Sequence, residues 1–320
     1  MIFSEHSFWA WVAFNAFILG VLALDLGVFH RKPAVIPVRE ALWMAAGYIA
    51  LALCFNAWVY YAFGWDPAIQ FLTGYFIEKA LSMDNIMVFV VIFAYFQVPA
   101  LHQMRVLLWG IIGALILRGI FIIAGLALIE IFDWAMLVMG LFLIYTGIKT
   151  MATGEETVDL ESSRIIRVVR KILPVTHKFD GAKFFTKDQH NRTLATPLFV
   201  VLVVLNVTDI IFALDSIPAV FAITQDPFIV FTSNVFAILG LRALYFALAG
   251  MIDRFRYLKF GLALVLIFIG LKMAYNYLPY PDIPTSWALI VTAGLIFGSI
   301  FASIVQNRRE DRNGGESSPR

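Results

Sequence analysis

Residues 207–219 read VTDIIFALDSIPA, and in the run around them, 196 to 222, the only charged residues are Asp209 and Asp215. A helix of that length crosses a hydrocarbon layer roughly 30 Å thick. Two carboxylates therefore lie in the middle of an apolar medium, where each ionised side chain costs about 2.5–3.5 kcal/mol or more to insert. The rest of the composition agrees with a membrane setting. Hydrophobic residues make up 61% and charged residues 14%, against about 45–50% and 25% in soluble domains, and mean hydropathy is +0.83. The sequence reads as an integral membrane protein, which excludes a water-soluble domain around one core. Cys54 is the one cysteine, so no disulfide framework exists within the chain and the thiol reads as a small hydrophobe.

Apolar runs between charged or Pro/Gly-rich breaks predict about nine spans: 7–29, 42–63, 70–95, 105–128, 133–151, 196–222, 229–251, 258–278 and 285–305. This is an all-α polytopic fold, a single transmembrane domain over 1–306. The first span has no basic residues ahead of it and His30, Arg31 and Lys32 behind it, so it reads as a retained helix and not as a cleaved signal. Assigning the connections alternately to the two sides puts every basic cluster on one side: Arg31 to Arg39, Arg105, Lys149 to Arg192, Arg254 to Lys259 and Arg308 to Arg312. Basic connections stay cytoplasmic, so the N-terminus is expected outside and the C-terminus in the cytoplasm. Within the long cytoplasmic loop, 152–195, the string RIIRVVRKIL (164–173) separates apolar from basic positions at helical spacing and predicts an amphipathic helix on the inner leaflet. The tail 307–320, NRREDRNGGESSPR, is expected to be disordered.

Three pairs of strings recur in the same order. EKALSMDNI from Glu78 resembles DIIFALDSI from Asp209; LRGIFIIAG from Leu117 resembles LRALYFALAG from Leu241; LIYTGIK ending at Lys149 resembles LIFIGLK ending at Lys272. The offsets are 131, 124 and 123 residues. Two copies of a three-helix unit are predicted, about 70–151 and 196–278. Because three is odd, the second copy enters the membrane from the opposite side. That inverted repeat is a transporter architecture, with the site near the midplane where the first helices of the copies meet.

Those first helices carry Glu78, Asp84, Asp209 and Asp215. The plain alternative is that buried pairs with Lys79, Arg118, Arg242 or Lys272 fix helix register. Four acids against two arginines of matching depth nevertheless leave negative charge suited to a cation. Six residues of α-helix amount to about 9 Å of rise and 120° of rotation, so an unbroken helix would not aim both of its acids at one point. Pro218 follows Asp215 by three residues and frees the carbonyl of Leu214, which suggests a broken helix with exposed backbone oxygens there. Asn85 and Ser216 follow their aspartates and add neutral oxygens. Such ligands suit Mg²⁺, Ca²⁺ or Mn²⁺, whereas zinc or copper would call for His or Cys. The histidines, at 6, 30, 102, 177 and 190, fall in loops or at span ends. Met83 and Met87 flank Asp84 and read mainly as packing.

The strings LALDLGVFHRK, FLTGYFIEKALSMDNI, TDIIFALDSIPAVFAIT, DPFIVFTSNVFAILGLRALYF and LVLIFIGLKM together resemble the TerC/Alx family of bacterial inner-membrane proteins. The resemblance implies manganese efflux and metal homeostasis, with links to tellurite resistance, alkaline stress and a proposed redox role. It implies Glu78, Asp84, Asn85, Asp209 and Asp215 as ion-pathway residues, and Asp25 as an accessory near the cytoplasmic end of the first span. One departure stands out: where the family usually has glutamate, three residues before Asp209, this chain has Asn206. The expected function is a secondary transporter, not an enzyme, exporting Mn²⁺ with protons as candidate counter-ion and no resident cofactor. The bilayer is its setting, and no nucleic-acid partner is expected; oligomeric state is open. Two alternatives differ in class. A non-transporting scaffold or redox modulator would act through the loop and tail. An intramembrane aspartyl protease would need a Gly-x-Gly-Asp string, which the sequence lacks.

Overall fold

The structure, a computed structural model, describes residues 8–24, 36–132, 134–152, 174–176, 179–187, 191–249, 257–278 and 281–315. Its helices are α1 (Phe8–Leu24), α2 (Val38–Phe63), α3 (Trp65–Tyr95), α4 (Ala100–Ile131), α5 (Ala135–Ala152), α6 (Pro197–Phe221), α7 (Pro227–Leu239), α8 (Leu241–Leu248), α9 (Leu258–Asn276) and α10 (Thr285–Gly315). With α7 and α8 taken together, seven of the described segments are long and apolar enough to cross a membrane. α1 has 17 residues. α3 is 31 residues long and differs from the seven in its charge, carrying Asp66, Glu78, Lys79 and Asp84. The protein is a polytopic all-α membrane protein, and helix meets each of the expected spans.

Four local features depart from the sequence reading. The last helix continues to Gly315, so 307–315 is helical and not irregular. Arg308, Arg309, Glu310 and Arg312 are good helix formers, and a helix already under way extends at little cost. α6 runs through Pro218 without breaking. A proline this close to the C-terminus removes one helical bond, while Ala222 N–H still donates to Pro218 O at 3.1 Å. The break in that half of the chain lies at Gly240, between α7 and α8. Finally, two three-residue strands, β1 (Phe185–Lys187) and β2 (Thr193–Ala195), form an antiparallel ribbon ahead of α6. Asp25, the 164–173 string, and residues 316–320 lie outside the described residues.

Packing is reciprocal between the two proposed units. α3 lies against α7, α4 against α6, and α5 against α9. The last pair meets along glycines. A Cβ on Gly147 would come 2.7 Å from Ala263 O and 2.6 Å from Ile267, and one on Gly270 would come 2.5 Å from Gly140 O and 2.8 Å from Ile144. Positions 140, 144 and 147 map onto 263, 267 and 270 at the same 123-residue offset. Each helix thus presents to the other the patch it receives. The helices run antiparallel, and small residues permit backbone approach where lipid gives no hydrophobic drive to association.

α7 is the central helix. Asp226 caps it, accepting from Phe228 N–H at 2.9 Å and Ile229 N–H at 3.3 Å, with Pro227 in the first turn; this is the Asp-Pro start expected of a helix. Phe236 packs on Phe55 and Phe71 with ring centroids 4.8 Å and 5.9 Å away. Two lysines, Lys79 half-buried and Lys272 buried, hold helix ends. Lys79 Nζ donates to Ala237 O in the last turn of α7 at 3.2 Å, and Lys272 Nζ donates to Ala222 O, just past α6, at 2.7 Å. A cation at a helix C-terminus satisfies an orphan carbonyl and complements the dipole.

Candidate functional site

The buried positions of α3 recur at alternating spacings of three and four: Phe71, Tyr75, Glu78, Ser82, Asn85, Phe89, Ile92. α4 likewise buries positions three or four apart, Ile111, Ala114, Arg118, Ile122 and Leu126, and α6 buries Leu205, Asp209, Ala213, Ser216 and Val220. Glu78, Arg118 and Asp209 therefore sit on the inward stripes of three packed helices, where apolar residues would ordinarily be. All three are buried, with exposures of 0%, 2% and 3%.

Arg118 is the hub. Its Nε and Nη2 donate to the two oxygens of Asp209 at 3.3 Å and 3.1 Å, a bidentate fork. Nη1 donates to Ser216 Oγ at 3.3 Å and Asn234 Oδ1 at 3.2 Å, and it forms an ion pair with Glu78. One guanidinium thus engages the first acid of each doublet. Two carboxylates against one cation leave one net negative charge, in a place where a lone charge would be strongly disfavoured.

The second acid of each doublet is turned away from the stripe by the rotation that six residues impose. Asp84 and Asp215 line a common cavity of about 100 Å³ with Glu78, Asn85, Arg118 and Ser216. α5 contributes Thr146 and Thr150, and α9 contributes Leu262, Ala263 and Leu266. Thr146 Oγ1 donates to Asp215 Oδ1 at 3.2 Å. Asn85 is 2% exposed, and its Oδ1 is a buried acceptor without a hydrogen-bond donor. A water occupies roughly 30 Å³ of liquid, so the cavity has room for a cation that keeps part of its hydration. Among the described residues no three His, Cys, Asp or Glu side chains converge as a resident metal would require.

The sequence-predicted residues thus divide. Asp84, Asn85 and Asp215 face the cavity; Glu78 and Ser216 touch both cavity and hub; Asp209 belongs to the hub and does not line this cavity. Asn206, which stands where the family usually has glutamate, does not line the cavity. Its Nδ2 instead donates to Leu202 O at 2.8 Å, and its Oδ1 occupies the space a Cβ on Gly113 of α4 would need. Arg242 is buried at the start of α8 and is not part of the cavity wall. Met87 is exposed, and Met83 packs in an apolar cluster with Ile77 and Leu143. Sequence reading missed Asn234, Thr146 and Thr150. The first lies in FTSNVF, a small polar cluster inside a span, which was the available signal.

The fold and this polar centre define a polytopic helical membrane protein with an intramembrane carboxylate cavity. Residues 63–313 match the integral membrane protein TerC family, and the chain belongs to it. It is 51% identical to membrane protein STKORF319 of Myxococcus xanthus over 298 residues, covering 93% of this chain and 92% of that one. It is 41% identical over 303 residues to a membrane protein of Rickettsia bellii, covering 95% and 99%. It is also 41% identical over 318 residues, covering 95% and 97%, to Alx of Escherichia coli K12, by name a candidate membrane-bound redox modulator. No solved structure matches the chain.

Proposed function

We propose that this protein is a bacterial inner-membrane secondary transporter that exports Mn²⁺, with protons as counter-ion, through the cavity between Asp84 and Asp215. Its two three-helix units are inverted relative to one another, its N-terminus is outside and its C-terminus cytoplasmic. The observation that carries this reading is the division of labour among the acids. Arg118 engages Glu78 and Asp209, while Asp84 and Asp215 open onto space with an undonated Asn85 carbonyl between helices. Two carboxylates and neutral oxygens suit a hard or borderline divalent ion. A site with only two free acids binds loosely enough to release its cargo, as conduction requires. Manganese in particular, and the link to tellurite resistance, rest on the family resemblance.

A second reading, a membrane-bound redox modulator, is favoured by the name that the Alx relatives carry. Cys54, the sole cysteine of the chain, is exposed on α2 and could pair only with a thiol on another molecule.

The test is ⁵⁴Mn flux in proteoliposomes, with and without a pH gradient. Wild-type protein is expected to move Mn²⁺ faster under the gradient, and Asp84→Asn and Asp215→Asn are each expected to abolish flux while inserting normally. Absence of wild-type flux, or full flux in both variants, would overturn the proposal.

A further inference from the structure

Threonines inside helices usually hydrogen-bond back to their own helix. Among the described residues Thr73 donates to Ile69 O at 2.6 Å, Thr208 to Val204 O at 2.7 Å and Thr232 to Phe228 O at 2.7 Å. Thr146 differs. Its hydroxyl reaches across the cavity from α5 to Asp215 on α6, at 3.2 Å. That is longer than the usual O–H···O range of about 2.5–3.0 Å, so the contact is weak and readily given up.

The second half of the chain has no counterpart. At the 123-residue offset, LIYTGIK becomes LIFIGLK, so Thr146 corresponds to Ile269 and Thr150 to Met273. Both of these are buried in an apolar cluster. The α9 side of the cavity is likewise apolar, formed by Leu262, Ala263 and Leu266. Two acids in equivalent positions, Asp84 and Asp215, thus look onto a cavity with one hydroxyl-bearing wall and one hydrocarbon wall. Packing does not call for the hydroxyls, because the matching helix fills the same places with Ile and Met.

We infer that Thr146 is a specificity-determining ligand of the transported divalent cation, its hydroxyl donating to Asp215 in the empty cavity and turning its oxygen to the ion in the loaded one. A hydroxyl can do both, since it carries one donor and two acceptor lone pairs. In the empty state it satisfies one oxygen of Asp215. When a cation arrives, rotation about one bond adds a neutral hard oxygen beside the carboxylate, without moving backbone. Thr150, one helical turn along α5, extends the same wall and can hold a water that the ion retains. The hydrocarbon wall of α9 offers nothing in exchange for lost hydration, so the ion's partly hydrated face is directed toward α5.

This inference rests on the cavity being the cation site, and its test separates the two claims. Thr146→Val keeps the side-chain shape and removes the hydroxyl; Thr146→Ser restores it. In ⁵⁴Mn proteoliposome flux, Thr146→Val is expected to raise the half-saturating Mn²⁺ concentration about tenfold, the lower end of losses seen when groups supporting a metal ligand are removed. Flux at saturating Mn²⁺ should be retained, and Thr146→Ser should return half-saturation toward wild type. Mn²⁺-dependent thermal stabilisation of the detergent-solubilised proteins reads the same loss as binding, independently of transport. A wild-type protein that neither moves nor binds Mn²⁺ overturns the transporter reading and this one with it. A functioning wild type with Thr146→Val unchanged in half-saturation, or with Thr146→Ser as impaired as Thr146→Val, overturns this inference alone.

Discussion

Replacing Arg118 by glutamine tests the hub most directly. The guanidinium makes two bonds to Asp209, one each to Ser216 and Asn234, and an ion pair with Glu78. Removing one partner of a buried ion pair costs about 3–5 kcal/mol, because the remaining charge is left without compensation. Here two carboxylates lose their common cation, and Ser216 and Asn234 lose a donor at about 1 kcal/mol each. Glutamine can recover one or two of these bonds but none of the charge. The expected net loss is therefore about 3–5 kcal/mol, a large share of the 5–15 kcal/mol that holds most proteins folded. Arg118→Gln should accumulate poorly and melt well below wild type when followed by thermal unfolding in detergent. The electrostatic cause has its own signature. Adding Glu78→Gln returns the net charge of the centre to its wild-type value, so Arg118→Gln/Glu78→Gln should be more stable than Arg118→Gln alone. A single variant that melts with wild type, or a double variant no better than the single, would refute the reasoning.

The glycine contact between α5 and α9 gives a second expectation. Gly270→Ala and Gly147→Ala each force a methyl against backbone oxygen and should lower stability by about 1–3 kcal/mol. Gly47→Ala and Gly294→Ala, with open space at the Cβ, should be neutral or raise stability by up to about 1 kcal/mol, all four measured by the same melt. Asn206→Glu should leave half-saturating Mn²⁺ and its pH profile unchanged, because residue 206 faces Gly113 and not the cavity; a tightened affinity in the flux assay would place it at the ion after all.

The elements were legible in the sequence because a bilayer simplifies the problem: helix is the economical way to satisfy backbone polar groups in lipid, and length plus apolarity marks it. Glu78, Asp84, Asp209 and Asp215 stood out for the same reason. What could not be read was how they divide. That depends on α4 placing Arg118 between α3 and α6, a tertiary fact that no spacing within one helix encodes. Thr146 was hidden because a lone threonine in an apolar span ordinarily bonds its own helix, and only the packed structure shows this one reaching elsewhere. The persistence of α6 through Pro218 and the break at Gly240 invert the usual expectation for these residue types. The proline sits where one lost bond matters little, and the glycine is held against Lys79, whose ammonium takes the carbonyl of Ala237.

The glycine seam also acts as a gauge. Thr146 stands immediately before Gly147, and Ala263 both lines the cavity and meets Gly147 through its carbonyl. The distance across this side of the cavity is consequently fixed by backbone touching backbone, which cannot stretch or compress as side chains do. In the proposed transporter, an opening set in this way would select ions by size with ångström tolerance. It also makes the α5–α9 pair a rigid calliper, so any movement that exposes the cavity to one side and then the other has to come from the remaining helices sliding past it.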